Sequence, residues 1–186
     1  MKVIKRTILI ILVLTIIGIL FRGWFYKHLV TYKSIGYRQN YLIKNDKLID
    51  CIEINVKDKT DLDVKEVIKV GLIITSQQLS FTTTKTEQDP NKLICSKAAN
   101  CVGYASFFTT TCNYLLKKYN LNHNWTSKLQ IGQLYFLGIN IHKYFNSPFF
   151  KDHDFVTIEN KTTGEIIAVD PTLSDYFYID FVTFSK

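Results

Sequence analysis

The sequence predicts an α+β domain, helices first and an antiparallel run of strands after, preceded by one N-terminal transmembrane helix. Three observations predict it. An apolar run opens the chain over residues 7–26. A buried stripe at helical spacing follows Cys101. Segments of β-type composition, separated by turn residues, fill the last third.

Lys2, Lys5 and Arg6 precede Thr-Ile-Leu-Ile-Ile-Leu-Val-Leu-Thr-Ile-Ile-Gly-Ile-Leu-Phe, and Arg22-Gly23-Trp24-Phe25-Tyr26 follows. As one helix, residues 7–26 cover about 30 Å, enough to cross a bilayer. A basic head before an apolar run also describes a secretory signal peptide, but no small-x-small cleavage site follows. Aromatic residues suited to a membrane interface stand there instead. Residues 1–26 are therefore read as an uncleaved anchor in preference to a cleaved signal. A short leading tail before a single span usually stays in the cytoplasm, which makes the domain extracytoplasmic.

With 47% hydrophobic and 14% aromatic residues in 186, the remainder can bury a core of one ordinary domain. The formal charge of +7 is scattered with no dense basic run, so no nucleic-acid partner is expected.

Residues 27–60 read as a connector with two short strands, Tyr41-Leu42-Ile43 and the alternating Cys51-Ile52-Glu53-Ile54-Asn55-Val56. The domain then spans residues 61–186. Leu62, Val64, Val67, Ile68, Leu72 and Ile73 recur at helical spacing, with Asp61 as the cap of a helix to about Leu79. A polar loop over residues 82–91 leads to Cys95. Asn100 caps the central helix, whose stripe is Val102, Ala105, Phe108, Cys112, Leu115 and Tyr119. Lys117 and Lys118 suit its last turn, and Asn120 and Asn122 its termination. Strands are expected over residues 133–141, 153–159 and 165–169, with a fourth over 176–183.

The chemistry-bearing residues are Cys101, His153 and Asp170. A thiol in the first turn of a helix lies among unpaired amides and the positive end of the dipole, which favour the thiolate over the free value of about 8.5. Those amides also suit an oxyanion, with the Cys101 N–H as one donor and Gln77, Gln78 and Ser96 as candidates for another. An imidazole then completes an ion pair and protonates the leaving group, and a carboxylate fixes its tautomer. If His153 lies directly opposite Asp170 in a hairpin, Glu159 faces Gly164 and the loop between is Asn160-Lys161-Thr162-Thr163. A one-residue slip would turn the two side chains to opposite faces and make Asp154 the alternative partner.

Asn100-Cys101-Val102-Gly103-Tyr104-Ala105, His153-Asp154-Phe155 and Val169-Asp170-Pro171-Thr172 together resemble the transglutaminase-like cysteine enzyme superfamily, over about residues 60–175. The chain departs from the family pattern at Ala99, where many members have Gly, and lacks both a Trp before the final Asp and a Gly-x-x-Ala-Arg after the Cys helix. The resemblance implies a papain-like fold, in which the Cys-bearing helix packs on an antiparallel sheet that carries His and Asp. It also implies a Cys101 nucleophile, with His153 as general base and acid and Asp170 as orienting group. It implies hydrolysis or transfer of a peptide or other amide through a thioester, on a peptide or protein substrate, with no cofactor or metal. Some members have lost catalysis, and the second expectation is an inactive domain that binds a peptide or protein. A purely structural membrane protein ranks last. Of the other cysteines, Cys112 is expected in the core, and Cys95 either pairs with Cys51 or is an inert thiol. His28, His123 and His142 are expected at surface or structural positions.

Overall fold

Why does the chain bend where the apolar run ends? In the computed structural model, which describes residues 2–185, α1 (Lys2–Leu20) stops at Phe21, and α2 (Arg22–Leu29) leaves at 73° to it. Arg22 donates to the Ile19 carbonyl at 3.0 Å, satisfying one of the acceptors a helix end leaves open. Among the described residues no single helix is long and apolar enough to cross a membrane, although the bent pair is by length and composition. Met1 and Lys186, which end the expected anchor and domain, lie outside the described residues.

Residues 27–60 hold more than a connector. β1 (Val30–Tyr37) lies inside the main sheet, and α3 (Asp46–Val56) replaces the strand expected over residues 51–56. Alternation at Ile52, Ile54 and Val56 suggested the strand. The residues actually buried are Leu48, Ile52 and Val56, four apart, while Ile54 is 74% exposed. Asn45 accepts from the Lys47 amide and starts the helix. Residues 41–43 form no strand.

α4 (Val64–Gln78) is capped by Asp63 rather than Asp61, in a reciprocal capping box with Glu66. β2 (Ser80–Phe81) then pairs in parallel with β3 (Ala98–Ala99), across α5 (Pro90–Ser96). α5 closes the loop expected over residues 82–91: Asp89 caps it and Pro90 takes the first helical position.

α6 (Cys101–Lys118) has the predicted bounds and cap, with the Gly103 amide donating to Asn100 Oδ1 at 3.2 Å. Asn120 ends it at a φ of 57°, in the left-handed region. Burial extends well beyond the expected stripe, taking in Phe107, Thr109, Thr110 and Leu116. A helix buried on most sides is a core element. Burying Phe107 and Phe108 contributes about 1.5–3 kcal/mol each.

The sheet follows as β4 (Trp125–Phe136), β5 (Ile139–Asn140), β6 (His153–Asn160) and β7 (Ile166–Val169), then α7 (Pro171–Phe177) and β8 (Thr183–Ser185). β4 begins before the strand expected from residue 133, and α7 occupies the start of the expected fourth strand. Pro171 at the first helical position, behind a capping Asp170, explains the helix. Strand order is β7-β6-β4-β1-β8, with β5 beside β4. The sheet is mixed, since β1 and β8 run parallel.

Val156 and Ile158 of β6 and Val169 of β7 pack with Tyr104, Phe108 and Leu115 of α6. The other face holds Tyr32, Phe155, Ala168 and Val182. A bridge from Ala168 to Val182 joins β7 to the segment entering β8, so the sheet curls round this second cluster.

Candidate active site

Cys101 is the first residue of α6 and only 8% exposed. Asn100 occupies two first-turn donors, taking the Gly103 amide on its side chain and the Tyr104 amide on its carbonyl. The amides of Cys101 and Val102 remain at the helix tip. Gln77 and Ser96 are exposed, and no contact ties them or Gln78 to Cys101 among the described residues.

His153 opens β6, opposite Gly132 of β4. Its Nε2 lies 2.7 Å from Asp170 Oδ2. Its ring is also coupled electrostatically to the Cys101 sulfur. With Nε2 committed to the carboxylate, Nδ1 is the nitrogen left for the sulfur. Burial opposes charge on this ring, but the charge and hydrogen bond of Asp170, aided by Cys101, outweigh it and hold the imidazole well above its ordinary value.

The hairpin register differs from the expected one by two residues. Val156 faces Val169 and Glu159 faces Ile166. A shift of two preserves the face, because side chains alternate. His153 and Asp170 thus meet on one face as a diagonal pair. Gly164, at a φ of 74°, donates its amide to the Asn160 carbonyl in the loop.

Asp170 is saturated with donors. Oδ2 accepts from His153 and from the Tyr32 hydroxyl at 2.8 Å, and Oδ1 from the Thr172 and Leu173 amides at 3.0 and 3.1 Å. Burial would raise its proton affinity. The opposing His153 charge, that hydrogen bond, Tyr32 and the Leu173 amide prevail, and the carboxyl stands below its usual range. Since Tyr32 donates to Asp170, Tyr26 donates to Tyr32, at 2.6 Å. Burial first, and then the Asp170 charge, push the Tyr32 phenol well up.

Tyr26 and Tyr32 were missed because they fall in the segments read as anchor and connector. The available signal was Val30-Thr31-Tyr32, a β-branched and aromatic run. Arg38, at the end of β1, was missed as well. It grips Asp154, which is wholly buried, at 2.5 and 3.1 Å. Asp154 is therefore committed to Arg38, not His153. Burial raises its carboxyl, and Arg38 offsets only part of that.

The other cysteines are free thiols. Of the two alternatives for Cys95, the disulfide to Cys51 is not formed: Cys95 is exposed and Cys51 half-buried, both as free thiols. Cys112 lies in the core, where burial pushes the thiol up to about 12. His28 and His123 are exposed, whereas His142 is buried and donates to the Phe150 carbonyl at 2.7 Å. Among the described residues no cluster of three or more His, Cys, Asp or Glu side chains could hold a metal.

Two cavities flank the site. One of about 310 Å³ is walled by His153, Asp170, Phe81, Leu134 and Tyr176 and is mostly apolar. Another, of about 450 Å³, adjoins Arg38, Gln88, Val102 and Ser106. Chemically, a thiol, an imidazole and a carboxylate in sequence can generate a nucleophile, shuttle one proton and hold the shuttle in place. Compared with known proteins, the chain matches no family model and no curated protein.

Proposed function

We propose that this chain is a membrane-anchored thiol enzyme of transglutaminase-like, papain-like architecture. It hydrolyses a peptide or other amide, or transfers its acyl group, through a thioester on Cys101. The observation that carries this reading is the His153 ring, hydrogen-bonded to Asp170 and coupled electrostatically to the Cys101 sulfur at a helix tip.

In the reactive pair the thiol's proton already sits on His153, and the sulfur attacks the carbonyl carbon, forming a C–S bond. The amides of Cys101 and Val102 donate to the oxyanion. The imidazolium protonates the leaving nitrogen as the C–N bond breaks, and an amine departs. His153 next takes a proton from water or a second amine, which attacks the thioester and frees the sulfur. Asp170 keeps the ring in one tautomer, and Tyr32 with two backbone amides keeps Asp170 in place.

The test is turnover of a peptide amide library, read as amine or ammonia release by the full chain in lipid nanodiscs. Cys101→Ala should abolish release while leaving the thermal transition in place. Equal release from that variant rules the reading out.

A further inference from the structure

The end of α7 carries three consecutive aromatic residues, Tyr176, Phe177 and Tyr178, all exposed, the last by 76%. An exposed aromatic run of this kind normally has a partner. It is fastened to α2, just past the end of α1. Arg22 Nε donates to the Phe177 carbonyl at 2.6 Å, and its guanidinium lies 5.7 Å from the centre of the Tyr178 ring. Lys27 lies over Phe181 at 5.5 Å, and Thr183 donates to the Lys27 carbonyl at 2.7 Å. Trp24 and Phe25, on α2, are exposed beside the same bend. Above them α1 exposes Ile8, Leu9, Ile10, Ile11, Leu12 and Leu14. Lipid is the medium that covers an apolar helix surface of that length.

We infer that Tyr176, Phe177 and Tyr178 form a second membrane contact, docking on the headgroup region of the bilayer that α1 enters. Aromatic rings with an apolar body and a polar tip favour that depth, and Arg22 and Lys27 supply positive charge for lipid phosphates. Tyr176 and Phe177 also wall the 310 Å³ cavity that holds His153 and Asp170. Docking therefore brings the cavity to the bilayer surface, where it meets substrates held there by an apolar chain. This rests on the reading of α1 as an anchor and of His153 and Asp170 as a catalytic pair.

The test needs no turnover. In a Trp24→Phe/Trp125→Phe background, Ile11→Trp and Tyr178→Trp are each reconstituted as full chains into phosphatidylcholine vesicles with bromine at shallow or deep acyl positions. Ile11→Trp should lose most of its emission to deep bromines, and Tyr178→Trp to shallow ones. Phe177→Trp, as a second reporter, should behave like Tyr178→Trp. If Ile11→Trp is quenched while both α7 reporters keep their emission, the docking surface is wrong and the anchor stands. If none is quenched, both are wrong.

Discussion

Tyr32, in β1, donates its phenolic proton at 2.8 Å to Asp170, the cap of α7, across 138 residues of chain. That bond makes the first strand part of the site, because Asp170 holds His153 on the same oxygen. Tyr32→Phe removes it inside a cluster where Tyr32 has no exposure. We expect a loss of about 2 kcal/mol in urea denaturation, the scale of a hydrogen bond to a buried charge. Because the bond lowers the Asp170 carboxyl, its removal should also move the acid limb of the activity profile to higher pH. An unmoved acid limb would mean that Tyr32 only fills space.

The His153–Asp170 pair makes stability depend on pH from both sides. His153 is raised, so its contribution is fully present below the ordinary imidazole value of about 6.5 and is lost as pH rises through the folded value. Asp170 is lowered, so its contribution is present above about 3.9 and is lost as pH falls through its folded value. Asp170→Asn keeps a capping side chain but removes the charge. The gap in urea midpoint between wild type and Asp170→Asn should be widest between those two ordinary values and narrow toward alkaline pH. A gap that grows steadily with pH would contradict the pairing.

Arg38 and Asp154 form a second ion pair, on the α6 side of β6. The Arg38 side chain is 33% exposed and that of Asp154 is sealed. Arg38→Ala leaves a buried carboxylate unpaired and should cost about 3 kcal/mol at neutral pH, toward the low end for such pairs because water reaches the arginine. Lowering the pH should recover part of this, as Asp154 takes a proton. Arg38→Met combined with Asp154→Leu should cost less than Arg38→Ala alone.

Gly132 faces His153 across the β4–β6 ladder, and a Cβ there would come within 2.5 Å of the Phe155 ring and 3.0 Å of the His153 carbonyl. Gly132→Ala should therefore lower stability by about 1–3 kcal/mol, the range for overpacking. It should also slow turnover more than its thermal shift explains, because the displaced backbone carries His153. A fully active Gly132→Ala chain would show that the ring tolerates movement of its strand.

Where the sequence could be read, local chemistry agreed with the tertiary fold. The α6 bounds follow from Asn100, the apolar spacing and Asn120. The shared face of His153 and Asp170 survived a register error of two, because only an odd shift changes faces. The failures have a common cause. In the segment of residues 51–56, short apolar alternation fitted a strand, but burial of Leu48, Ile52 and Val56 against neighbouring helices made it helical. β1 was hidden because its partners, β4 and β8, lie about a hundred or more residues away, and nothing local announces such pairing. Tyr32 and Arg38 went with it.

The most direct test uses the chain's other thiols as internal references. Full-length protein is treated with p-nitrophenyl acetate, and acetyl groups are mapped by mass spectrometry within the first turnover. Cys95 is exposed and Cys101 nearly buried, so accessibility alone favours Cys95. The proposed relay predicts the opposite: Cys101 acetylates first, with a burst of p-nitrophenol that His153→Ala removes. Acetylation of Cys95 ahead of Cys101, unchanged in His153→Ala, would contradict an activated sulfur at the tip of α6.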